Sequence, residues 1–175
     1  MPILASEPEK AKFAQVPAGT YQAVCYDVWD IGLQVNPYKD KNGNPQPPTL
    51  QIIIGFEVSE LIKEGKYAGK RMTLNKFYNR TLNETATLRK HLESWRGAKL
   101  TPEELKGFDV ESLIGANCMV SVIIGEKGKS QISSISKLMN NLPPMKPENE
   151  RATPQWVVKY QDKQVSADKV DEIPF

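Results

Sequence analysis

From Glu84 to Gly97 the chain reads ETATLRKHLESWRG, and its place in the order of elements decides the fold. Leu88, Leu92 and Trp95 fall on one face at helical spacing, and Asn83 or Thr81 stands ready as an N-cap. A helix is therefore expected over Glu84–Arg96, with Trp95 in the core. Almost everything around this stretch carries the other periodicity.

Upstream, GTYQAVCYDVWDIG (Gly19 to Gly32) is rich in aromatic and β-branched residues, and LQIIIGFEVSEL (Leu50 to Leu61) sets Ile52, Ile54, Phe56 and Val58 on alternate positions. Both predict strands. In the first, alternation buries either Tyr21, Ala23, Cys25 and Trp29 or Val24, Tyr26 and Val28. NPYKDKNGNPQPPT lies between them, its Asn42-Gly43 pair suiting a tight turn in a protruding loop. GKRMTLNKFYN (Gly69 to Asn79) predicts a third strand.

Downstream, TPEEL supplies a threonine cap, proline at the first helical position and Glu104 three residues on, a capping box for a short helix. FDVESLIG predicts a single turn capped by Asp109 and stopped by Gly115. CMVSVIIG and SQISSISKL then alternate with period two across EKGK, a hairpin. GEKGKS (Gly125 to Ser130) looks like the end of a phosphate-binding loop, but that pattern needs glycine where Ile123 stands and a helix where QISSISKL alternates.

Three strands, helical material and two strands, with a long first loop, is the order expected of an OB-fold, a five-stranded Greek-key barrel with a helical insertion between strands 3 and 4. The series stops near residue 139. Beyond it MNNLPPMKPENERATP carries Pro143, Pro144, Pro147 and Pro154, which reads as an extended, solvated connector. The expected division is a leader over 1–15, a barrel domain over 16–138 and a flexible proline-rich linker with an acidic tail over 139–175. Within that tail QWVVKYQ (Gln155 to Gln161) alternates Trp156, Val158 and Tyr160 like a strand that docks on the barrel edge or on a second subunit.

Composition limits the chemistry. Of 175 residues 39% are hydrophobic and 25% charged, which is a water-soluble globular composition. No apolar run approaches a bilayer span and the N-terminus has no secretory pattern, so a cytoplasmic setting is expected. The glycosylation-like NRT and NET at Asn79 and Asn83 then have nothing to act on them. Two cysteines, Cys25 and Cys118, and one histidine, His91, cannot assemble a four-ligand zinc site. A cytosolic setting favours two buried thiols over a disulfide, and His91 reads as a solvated helix residue. No nucleophile, metal or dinucleotide motif is apparent, so neither enzymatic activity nor a cofactor is expected.

The net charge is +2, from 23 basic and 21 acidic residues, and residues 139–175 hold 5 and 6 of these. The positive excess belongs to the body. The chain ends DEIPF, Asp171, Glu172, Ile173, Pro174 and Phe175, which puts a ring and an α-carboxylate on one terminal residue for a partner's apolar pocket and basic side chain.

This ending resembles the acidic tip of bacterial single-stranded DNA-binding proteins. The body, from VPAGTYQAVCYDVWDIG through KFYNRTLNETATLRKHLESWRG to GANCMVSVI, resembles a family of tailed-phage OB-fold single-stranded DNA-binding proteins, LRKHLESWRG being its most recognisable piece. The resemblance implies a protein that coats single strands in replication and recombination, in the host cytoplasm if phage-encoded. It also implies a tip that recruits helicases, primases, nucleases or repair factors.

Such binding needs cations along the phosphates and rings under the bases. The candidates are Tyr38, Lys39 and Lys41 in the first loop; Lys66, Lys70 and Arg71 around the start of the third strand; Lys76, Phe77, Tyr78 and Arg80 at its end; and Trp29. Phe77 and Tyr78, being neighbours, point to opposite faces, so one of them is core. The rival expectation is an OB-like adaptor that displays the tip to host replication factors without binding nucleic acid, which the small net charge leaves open, since many nucleic-acid binders are more basic. Self-association is left open by the sequence.

Overall fold

The computed structural model describes residues 3–5 and 15–165. The tip residues Asp171 to Phe175 lie outside them.

Five strands are present: β1 (Gly19–Gln34), β2 (Thr49–Leu61), β3 (Arg71–Asn79), β4 (Asn117–Ile124) and β5 (Ser130–Lys137). They form one antiparallel sheet in the order β3-β2-β1-β4-β5. β3 and β5, at the two ends of that order, also approach each other. The architecture is mainly β and compatible with a small barrel.

Between β3 and β4 in sequence come α1 (Thr87–Arg96), α2 (Pro102–Lys106) and a 3-10 turn at Val110–Leu113. The apolar face read for α1 is the buried one: Leu88, Leu92 and Trp95 enter the core, and Trp95 Nε1 donates to the carbonyl of Asn117 at 2.8 Å. Its start differs from expectation. Neither Asn83 nor Thr81 caps it, and Ala86 stands at the N-cap without a side-chain bond. The reason is local: Ala86 N donates to the Asn83 carbonyl, closing a turn that uses up the residues expected to begin the helix. α2 carries the full capping box of Thr101 and Glu104, with Pro102 in its first turn, and Asp109 caps the 3-10 turn through the Glu111 amide.

The core inside the curled sheet gathers Ala23, Cys25 and Val28 of β1 with Ile52, Ile54, Phe56 and Val58 of β2. Val28 and Cys25 share a face because a bulge between Cys25 and Asp27 shifts the register by one residue. Neither alternation expected for the first strand therefore runs its whole length. Cys25 and Cys118 are free and buried, and burial pushes the Cys25 thiol up to about 12.

The outer face of β1 and β2 is covered as well. Trp29, Ile31 and Ile53 form a second buried cluster with Val157, which belongs to a third helix, α3 (Gln155–Asp162). Gln155–Gln161 is thus helical rather than a strand. Pro154 sets the extended backbone that starts the turn, and a helix is what lets Val157 reach the sheet while Trp156 packs edge-on against Trp29 at 5.6 Å between ring centroids.

The proline-rich stretch leading to α3 has no regular structure, yet it is not a solvated connector. The buried carboxylate of Glu57 accepts from the amides of Glu148 and Asn149, from Asn149 Nδ2 at 2.7 Å and from Arg71 Nη1 at 3.1 Å. Asp27, also buried, accepts from the Ala152 amide at 3.0 Å and from Arg151 Nε at 3.3 Å. Asn117 holds Met145 at both its amide and its carbonyl. Prolines remove donors and stiffen the chain, and the remaining amides find their acceptors on the sheet. The strands end at Lys137, but the packed body continues through α3 to Val165, whose amide donates to the Leu33 carbonyl at 2.8 Å.

Candidate functional site

β2 pairs with β3 so that Gln51 faces Asn79 and Ile53 faces Phe77. The loop leaving β1 at Gln34 rejoins the sheet at Thr49, beside the end of β3. Asp40 organises its tip, with Oδ1 accepting from the amides of Asn42 and Asn44 and its carbonyl from Gly43. A bridge between Lys39 and Pro45 closes the base of that turn. Loop and strand end together frame a groove of about 880 Å3.

The groove is lined by Gln34, Tyr38, Gln51, Lys76, Phe77, Tyr78, Asn79 and Tyr160, and by Thr81, Asn83, Thr85 and Thr87 on the approach to α1. Amides, hydroxyls and rings dominate, and among the described residues that line it Lys76 is the charged one and none is a carboxylate. Tyr38 is 74% exposed and Phe77 39% exposed. Phe77 meets Tyr160 of α3 edge-on, with ring centroids 5.1 Å apart and planes at 68°.

Alternation along β3 assigns the pair the sequence leaves open: Tyr78 points inward and is 3% exposed, while Phe77 points out. Tyr78 is thereby removed as a stacking residue. Its hydroxyl lies 2.7 Å from His91 Nδ1. Burial pushes this phenol well above its ordinary value, so the hydroxyl keeps its proton, and it donates to Nδ1 when His91 carries its proton on Nε2. His91 is in turn half-buried rather than simply solvated, and burial, then the charge of Lys76, holds its pKa below the usual histidine value. Burial also lowers the pKa of Lys76, which shares the inward face with Tyr78.

Other expected residues serve the body itself. Trp29 is 5% exposed under α3, and its Nε1 donates to the Ala152 carbonyl at 2.8 Å, so its ring faces protein. Arg71 reaches Glu57, Glu148 and the Lys146 carbonyl, which commits its guanidinium to the strap of residues 143–152. Arg80 sits at the surface, paired with Asp30 at 2.9 Å. Lys66 and Lys70 flank the ring of Tyr67 in the β2–β3 turn, at the far end of β3 from the groove. Lys39 and Lys41 are exposed on the first loop.

The structure thus brings Tyr38, Lys76 and Phe77 together, with Lys39, Lys41 and Arg80 close to them in sequence, keeps Tyr78 buried in the groove wall, and sets Trp29, Lys66, Lys70 and Arg71 apart. Tyr160 is the lining ring that the strand reading of its segment misplaces. Trp156, Val157 and Tyr160 also fit helical spacing, and that is the signal that finds it.

Among the described residues no group of three or more His, Cys, Asp or Glu is placed to hold a metal ion, and no helix is long and apolar enough to cross a membrane. No protein-family model matches the chain, and a search of curated proteins finds no match.

Proposed function

We propose that the protein binds single-stranded DNA without reading its sequence, coating it during replication or recombination, and that the DEIPF tip recruits partner proteins. The observation that carries this reading is the exposed pair Tyr38 and Phe77 beside Lys76, in a groove lined by amides and hydroxyls and by no carboxylate. A base offers a π-face to such rings whatever its identity, and a described lining without carboxylates lets phosphates approach. The order β3-β2-β1-β4-β5, with β3 and β5 near each other, supports closure into an OB-type Greek-key barrel. In that barrel the groove lies where the first loop meets the β2–β3 surface, the usual place for a bound strand.

The test is fluorescence anisotropy of labelled oligo-dT, duplex DNA and single-stranded RNA across a salt series. Oligo-dT is expected to bind tightest and to lose affinity steeply with salt, since about four to six phosphate contacts release as many counterions. No binding at low salt overturns the reading in favour of an adaptor that works through the tip alone.

A further inference from the structure

We infer that α3 is part of the strand-binding site: Tyr160 supplies a stacking face and Lys163 a phosphate contact, completing the platform begun by Phe77. This rests on the single-strand reading above and extends it to a segment outside the strand series.

The geometry is that of a corner. Tyr160 is 37% exposed, so a large part of its ring is open although its helix is docked. Its ring stands at 68° to that of Phe77, and the two line the same groove. A base lying flat on one ring therefore meets the other at its edge, an arrangement that aromatic pairs favour. Lys163, three residues on, is exposed and holds its Nζ 5.8 Å from the Tyr160 ring centroid. A cation over one side of a ring that lines the groove provides, on one helix, the two kinds of contact a nucleotide requires.

α3 is also held firmly enough to serve. Val157 is fully buried against Trp29, Ile31 and Ile53. The buried side chain of Gln34 donates from Nε2 to the Tyr160 carbonyl at 2.8 Å and to the Ile31 carbonyl at 2.6 Å. Gln161 Nε2 donates to the Asp30 carbonyl at 3.0 Å. These bonds fix the backbone that carries Tyr160 while leaving its ring half open.

Two measurements on the full-length chain decide the matter. Ultraviolet crosslinking of the unaltered protein to oligo-dT, followed by peptide mapping, is expected to mark the peptides containing Phe77 and Tyr160. Crosslinks confined elsewhere, for instance to the Tyr67 turn, overturn the assignment. In anisotropy titrations Tyr160→Phe is expected to bind like the parent and Tyr160→Ala to bind roughly 5- to 150-fold more weakly, the range for loss of one stacked base. Lys163→Gln is expected to lower the salt slope by about one contact. If Phe77→Ala weakens binding while Tyr160→Ala and Lys163→Gln do not, α3 is only a cover and the single-strand reading survives. If the parent protein does not bind oligo-dT at all, both readings fall.

Discussion

Trp29 and Phe77 are both aromatic residues on neighbouring stretches of one sheet surface, and their surroundings give them opposite work. Trp29 is enclosed by α3 and satisfied by the Ala152 carbonyl, whereas Phe77 stands at the groove with its ring partly open. Trp29→Phe removes the indole donor and leaves a carbonyl unpaired, so it is expected to cost about 1–3 kcal/mol of stability with little change in oligo-dT affinity. Phe77→Ala is expected to do the reverse, weakening binding by roughly an order of magnitude with a smaller loss of stability. Denaturant midpoints and anisotropy on the same two variants check this, and matching profiles for both would show that the faces have been misassigned.

His91 gives the residue scale its pH dependence. In the unfolded chain its pKa lies near the ordinary 6.5; in the folded protein burial, and then Lys76, lower it. Between those two values the unfolded chain binds a proton that the folded chain refuses, so stability rises with pH across that window. The contribution is complete above about pH 6.5 and is lost progressively as pH falls toward the folded value. His91→Gln, which keeps an acceptor for the Tyr78 hydroxyl, is expected to flatten this part of the curve. Urea midpoints at pH 7.5 and 5.5 test it: parallel losses in parent and variant would remove His91 from the account.

At the scale of elements, what the sequence makes legible depends on whether one surface or two shape a segment. β2 and α1 have an inner face fixed by the core alone, and the alternation of Ile52, Ile54, Phe56 and Val58 and the helical spacing of Leu88, Leu92 and Trp95 announce them. β1 is harder because two register shifts, between Cys25 and Asp27 and between Asp30 and Gly32, move its side chains between faces. The second shift is bound to the tail. Gly32 has a positive φ of 69°, which favours glycine, and the Gln164 side chain lies where a Cβ would stand, so a larger residue there strains the backbone and displaces that side chain. The covering strap is silent in sequence for another reason. Much of its hold on the sheet is made by backbone amides meeting Glu57 and Asp27, and no side-chain pattern within residues 143–152 records an amide's partner.

The strap is therefore expected to be a structural element. Glu57→Ala takes the acceptor from two amides and from Arg71 at once, and is expected to cost on the order of 3 kcal/mol, as when one partner of a buried ion pair is removed. The loss should also be local. Hydrogen exchange at the amides of Glu148 and Asn149 is expected to quicken while the amides of α1 stay protected. Unchanged exchange at those two positions would mean that the carboxylate does not hold the strap. Truncation after residue 138, where the strands end, is expected to uncover Trp29, Ile31 and Ile53 and to give a less stable, aggregation-prone chain.

For the whole molecule the balance of charge matters more than its sum. A net charge of +2 is small for the proposed role along phosphates, and several of the chain's cations are spent on internal partners: Arg71 on Glu57, Arg96 on Glu104, Arg151 on Asp27. The described cations that remain on the groove or on the segments that frame it are Lys76, Lys39, Lys41 and Lys163, and the acidic end of the same chain is expected to compete for them. The described chain reaches Val165 beside Leu33, next to the groove residue Gln34, so the residues beyond it start close to the proposed site. Deleting residues 168–175 removes Asp168, Asp171 and Glu172 against a single Lys169, and raises the net charge from +2 to +4. The truncated protein is expected to bind oligo-dT several-fold more tightly at about 50 mM salt and equally at about 500 mM, where the Debye length falls below the spacing of such charges. Titrating both proteins across that range separates the possibilities. Equal affinity at every salt concentration would mean that the tip and the groove do not meet, and recruitment of partners would then be independent of whether the strand is bound.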